Sequence, residues 1–258
     1  MDTQPCILYY DRRSICSSMV RYTLANAGLP GKDCLPLSTE LRAVDIYTGE
    51  QLSETYLCEL NPKGQVPVLL SPGFLEKPIA DSLDITFWLC ERYPSLRPSE
   101  YANEINRLLR NLHAINFFTL SMRNRPQRAE MQEAAILAKM NTPDLSARHK
   151  KALEYKLTVT RSEKVEGLRP EVIKEEIERA QTLLNAIDQV RRAHNEKGLT
   201  PDAWIFGTTA PTALDTTLVC LVARLMDVHL EEIIPPALLE MGRAQRETST
   251  FKEIWISM

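Results

Sequence analysis

The chain has 258 residues, of which 44% are apolar and 25% charged, with a formal net charge of -3. That composition is globular, and the length buries a substantial core in one large domain or two. The mild acidity and lack of a Lys/Arg-rich block exclude a general nucleic-acid binder, while the absence of any apolar run near the roughly 18 residues of a membrane span and of a basic leader makes a soluble, cytoplasmic protein the expectation.

In chain order, Cys6-Ile7-Leu8-Tyr9-Tyr10 reads as a buried strand, Asp11 to Ser14 as a polar loop, and residues 15–27 as an amphipathic helix closed by Gly28. A short strand is expected near 32–37, a mobile helical or irregular connection over 48–60, and a third strand over 66–70. A turn at Pro72-Gly73 and a last short strand near 75–78 would complete a four-stranded sheet, before a helix over 83–93. Pro94 and Pro98 mark a linker over 94–100, dividing a first domain at 1–93 from an all-helical one at 101–258. There, residues 101–123 read as one long helix, Pro170 opens another, and Thr212-Ala213-Leu214-Asp215 starts a third through a capping box. Between them, residues 123–169 are charged and helix-prone without a clear apolar stripe, an excursion from the helical core. The cysteines at 6, 16, 34, 58, 90 and 220 form no CxxC pair and no metal-ligand spacing with histidine, so no metal is expected.

Chemistry concentrates in Asn61-Pro62-Lys63-Gly64-Gln65-Val66-Pro67-Val68-Leu69 and in Ile79-Ala80-Asp81-Ser82. A proline ahead of a strand gives no N–H to the ladder, and X-Pro is the one bond where cis is inexpensive. If Pro67 is cis, the main chain of Val66 turns outward to pair with an extended peptide; an ordinary trans proline at a sheet edge is the alternative. Asp81 and Ser82 stand at a helix start, where N–H groups and the positive end of the helix favour a carboxylate.

This order of βαβ-ββα elements, a Val-Pro turn and an Asp-Ser helix start, joined by a proline linker to a helical region, resembles the cytosolic glutathione S-transferases. Trp204-Ile205-Phe206-Gly207 and Thr212 to Asp215 resemble that family's docking turn and capped helix. The resemblance implies an α/β thioredoxin-like domain with a cis proline followed by an all-α domain, glutathione as co-substrate, a small-molecule electrophile and a homodimer. It further implies that Val66, beside Pro67, pairs with the cysteinyl residue of glutathione, and that Asp81 and Ser82 hold its γ-glutamyl end. Lys63, Gln65, Arg12 and Arg13 become candidates for its glycyl carboxylate.

For the thiol, three candidates stay open. Ser14-Ile15-Cys16-Ser17 with Val20-Arg21 is similar to the Ser-Ser-Cys-Ser motif of zeta-class enzymes, with Ile15 in place of the second serine. A Ser14 hydroxyl bonded to the thiolate contributes about 1.5 to 3 kcal/mol, enough with the helix end to bring the thiol from about 8.5 to near 6.5. Cys16 near the helix start is the alternative nucleophile, for a mixed-disulfide chemistry, although Cys16, Val20, Leu24 and Ala27 share one stripe facing the core. Tyr10 resembles the catalytic tyrosine of other classes. Arg110, His113 and Phe117, at i, i+3 and i+7, are expected to line the electrophile pocket. The long excursion suggests a specialised substrate, as in a tailoring step of secondary metabolism; glutathione-dependent isomerisation and a non-catalytic binding role remain alternatives.

Overall fold

A computed structural model describes residues 6–195 and 204–257; the reading of a missing leader at residues 1–5 lies outside them. Strand β1 (Cys6–Tyr10) alternates as its sequence requires, with Cys6, Leu8 and Tyr10 buried on one face. It pairs in parallel with β2 (Thr39–Ala43) and antiparallel with β3 (Val68–Leu70), giving the order β2-β1-β3 with Leu8 opposite both Leu41 and Leu69. The second strand therefore lies beyond the expected 32–37. Pro36 cannot donate to a ladder, and the true strand, Thr-Glu-Leu-Arg-Ala, is an exposed edge with no buried face to betray it in sequence. The fourth strand reduces to one bridge, Leu69 to Ile79, because the N–H groups of Phe74 and Leu75 turn back to the carbonyl of Ser71.

Contacts gather the described residues into two compact units that do not follow chain order. The first takes the chain up to Asp11, Leu37–Asp81 and Asn116–Glu176. The second takes Arg12–Pro36, Ser82–Ile115 and everything from Ile177 onward. The proline linker is present as two 3₁₀ turns, Pro94–Leu96 and Ser99–Tyr101, but the contacts divide the chain elsewhere.

In the first unit, α4 (Phe117–Met122), α5 (Gln127–Met140) and α6 (Ala147–Thr160) join the sheet and the connection after β2. Ile136, Leu153 and Leu157 bury against Leu52 and Leu57, so the excursion has a core after all. Its stripe is hidden because the apolar residues of α5 lie all round the helix, Met131 and Leu137 being exposed, and the partners of the buried ones lie in an irregular segment far away in sequence. The expected helix over 101–123 is two: α3 (Ala102–His113) ends, and Asn116 caps α4 by accepting from the N–H of Thr119 at 3.1 Å. An Asn side chain competing for backbone donors is a start signal inside an otherwise periodic run.

The second unit holds α1 (Ile15–Ala25), α2 (Ser82–Arg92), α3, the part of α7 (Pro170–Asn195) from Ile177, α8 (Ala213–Asp227), α9 (Pro236–Arg246) and α10 (Ser249–Ile254). Helix α8 is buried on every side from Ala213 to Leu225, which makes it the axis of this unit. It approaches α9 so closely that a Cβ on Gly242 would lie 2.3 Å from Cγ1 of Val222. Gly242→Ala is accordingly expected to destabilise by about 1 to 2 kcal/mol through overpacking, read as a lower urea midpoint at unchanged slope. Among the described residues no helix is long and apolar enough to cross a membrane.

Candidate functional site

In the first unit the Val66-Pro67 peptide bond is cis. The turn before it is held from two directions: the hydroxyl of Tyr56 and the side-chain amide of Asn61 both donate to the carbonyl of Gln65, at 2.8 and 2.9 Å. The Asn61 amide also donates to the carbonyl of Ala80 at 3.4 Å, and its oxygen accepts from the N–H of Lys63 at 2.9 Å. One Asx turn thus ties Gln65–Val66 to the residue preceding Asp81, which is exposed. Val66 packs against the cluster of Val44, Tyr56 and Val68, while its N–H and C=O take part in none of the described backbone hydrogen bonds.

Beneath this turn lies a lysine that composition gave no reason to single out. Lys156 is 3% exposed, and its ammonium donates to the carbonyl of Lys63 at 2.7 Å. Burial first, then the neighbouring Lys164, lowers its pKa from 10.5 to about 7, with Glu163 pulling the other way. Gly64, at φ +54°, lets the turn close over the stem: a Cβ there would meet Lys156 at 3.2 Å and Leu57 at 3.0 Å. Above it, Glu163 accepts from the Gln65 amide at 2.6 Å and stands 3.7 Å from the ammonium of Lys63.

Tyr10, also in this unit, is 6% exposed, and its carbonyl accepts from the N–H of Val44 at 2.8 Å. Its side chain shares the buried face of Cys6 and Leu8, the placement of a packed residue.

In the second unit Ser14 is the N-cap of α1. Its oxygen accepts from the N–H of Ser17 at 3.2 Å and its carbonyl from the N–H of Ser18 at 2.9 Å. In that arrangement the hydroxyl serves as an acceptor toward its own helix, and its proton is left to donate outward. The residue before it is fixed by Arg224 of α8, which is 3% exposed and donates from Nη2 to the carbonyl of Arg13 at 3.0 Å. That guanidinium lies 5.0 Å from the ring centre of Trp255, whose indole N–H donates to Asp227 at 3.1 Å. Cys16 is half-buried and close enough to the buried Cys220 to help raise that thiol's pKa, after burial, the dominant cause. Ser82 is buried as the first residue of α2, and its carbonyl accepts from the hydroxyl of Thr86 at 2.8 Å.

The three expected pocket residues do not share one helix. Arg110 is exposed on α3, with its guanidinium 4.8 Å from the ring centre of Phe87. His113 ends the same helix, its Nδ1 3.0 Å from the carbonyl of Leu109, whereas Phe117 is buried at the start of α4 in the other unit. The stripe requires a continuous helix, and the break at Ala114–Asn116 removes that premise. Sequence reading also missed Tyr56, Lys156, Glu163 and Arg224. Only Asn61, heading an Asn-Pro pair, carried a local signal.

No family model and no curated protein matches the chain in sequence. Solved structures match its fold. A glutathione transferase family member from Pseudomonas fluorescens pf-5, with two glutathione bound, aligns over 97% of this chain and 92% of its own, at TM-score 0.61 and 16% identity. Maleyl pyruvate isomerase, a bacterial zeta-class glutathione S-transferase, covers 96% of both chains at TM-score 0.54 and 22% identity. Ure2p in complex with glutathione covers 98% of this chain and all of its own, with TM-score 0.61 and 12% identity. The fold is therefore that of the glutathione transferases: a thioredoxin-like region with a cis proline, then an all-helical region.

Proposed function

We propose that this chain binds glutathione, holds its sulfur as a thiolate with Ser14, and adds it to an electrophilic carbon of an apolar small molecule. The observation that carries the reading is the Ser14 cap, whose oxygen is engaged by its own helix while its proton can donate to an anion at the positive helix end. Val66 offers an unpaired main chain for the cysteinyl residue beside Pro67, Asp81 and Ser82 take the γ-glutamyl end, and Lys63 with Gln65 faces the glycyl end. Glutathione bound in the neighbours of like fold supports the ligand, and none of them identifies the electrophile. The working form is a homodimer, which sedimentation at micromolar concentration tests directly.

Ser14→Ala is expected to lower kcat/KM about tenfold, the low end for a charge-assisted hydrogen bond because water can replace the hydroxyl. The same variant should raise the thiol pKa seen in the pH–rate profile by about one unit, and Ser14→Thr should restore it. Cys16→Ser is expected to change neither quantity. Loss of turnover in Cys16→Ser alone would transfer the role to a cysteine chemistry. Glutathione binding without turnover on any electrophile would leave a binding protein of this fold.

A further inference from the structure

The glycyl end of the site already holds a carboxylate of the chain itself. Lys63 and Gln65 supply the cation and the amide donor that a ligand carboxylate needs, and Glu163 engages both, at 3.7 and 2.6 Å. Glu163 is not a loose surface residue. Its own carbonyl accepts from the side-chain amide of Asn116 at 2.8 Å, and Asn116 in turn caps α4. Its segment is anchored about two turns earlier by Lys156, whose ammonium reaches the carbonyl of Lys63. The charged groups around it are Lys63, the buried Lys156 and the adjacent Lys164, whose ammonium is 2.6 Å from the side-chain oxygen of Gln132.

We propose that Glu163 is a specificity residue that occupies the subsite for the ligand's glycyl carboxylate, so that the chain favours γ-glutamylcysteinyl thiols whose C-terminal end is uncharged. The inference rests on the glutathione reading. A free glycyl carboxylate must displace Glu163 from Gln65 or settle beside it as a like charge, whereas an ester or amide accepts from the same donors without that repulsion. Both Lys63 and Glu163 are about half exposed, so the penalty is modest and sensitive to salt.

The test is calorimetric titration of the full chain and of Glu163→Gln with two probes, glutathione and its glycyl monoethyl ester. The isosteric amide keeps the shape of the segment, and equal thermal midpoints confirm an intact fold. Glutathione is expected to bind Glu163→Gln about threefold to tenfold more tightly than the parent chain at low salt, while the ester is unchanged. In a Lys63→Met background the gain should shrink, since the cation for which the two carboxylates compete is gone. Equal changes for both probes, no change, or weaker glutathione binding overturns the role of Glu163 alone. Failure of both probes to bind the parent chain and the variant overturns the glutathione reading and this inference with it.

Discussion

Asp215→Ala is expected to cost about 4 kcal/mol of folding free energy, near the top of the range for single substitutions. Asp215 is fully buried, and both oxygens are in use. Oδ1 accepts from the N–H of Ile205 at 2.9 Å; Oδ2 accepts from the N–H and hydroxyl of Thr212 at 2.8 and 2.6 Å. Burial pushes the carboxyl above its ordinary value while these donors pull it down, so the charge is tolerated only as part of the network. Alanine strands three donors in a dry interior and removes the capping box of α8 at once. Asp215→Asn should cost about half as much, because one oxygen survives for Ile205 but an NH₂ then faces the donors on Thr212. Urea unfolding of both variants measures this; a loss below about 1 kcal/mol for alanine would show that the turn at Trp204–Gly207 does not depend on the cap. The consequence reaches the proposed chemistry, since α8 carries the Arg224 that fixes the backbone ahead of Ser14.

The same residues show what a sequence makes legible. The capping box and the Pro170 start are local signals, in which a residue and its partner lie within a few positions, whereas the cis form of the Val66-Pro67 bond followed only from the order of elements around it. What stayed hidden depends on long-range pairing. Strand β2 is an exposed edge whose apolar residues are Leu41 and Ala43, both exposed, so the alternation is too short to mark a buried face. The helix break at Ala114–Asn116 was masked by apolar residues continuing at helical spacing on both sides. Glu163 and Lys156 sit in a charged stretch, where their meeting with Lys63 and Gln65 some ninety positions earlier has no signature in either segment. The Val66-Pro67 turn was readable as a motif, whereas the residues that hold it in shape were readable only once folded.

Lys156 gives the second large effect, and it appears as a dependence on pH. In the folded chain its pKa is about 7 against an ordinary 10.5, so between those values the unfolded chain binds the extra proton. The contribution of Lys156 to stability must then rise with pH across that window, at up to about 1.4 kcal/mol per unit. Below pH 7 both states are charged and the full penalty of burying the ammonium is present. From pH 7 to 9 that contribution alone is expected to approach about 2.5 kcal/mol, read as the difference between the parent and a chain lacking the amine. Above 9 the trend should reverse, because burial pushes the thiol of Cys90 up to about 12 and raises that of Cys220 as well, so the unfolded state releases those protons first. Lys156→Met keeps the stem that packs beneath Gly64 and removes the titrating group. Its cost is an unpaired carbonyl on Lys63, roughly 1 to 3 kcal/mol, set against the ammonium no longer buried. The decisive quantity is the difference between the two chains: urea midpoints should converge or cross near pH 7 and separate in favour of the parent by pH 9. Parallel curves would mean that water reaches the amine and that its charge is not confined. If the proposed glutathione site is right, affinity for glutathione should follow the substitution at every pH, since Lys156 ties the carbonyl of Lys63 in the turn that leads to Val66.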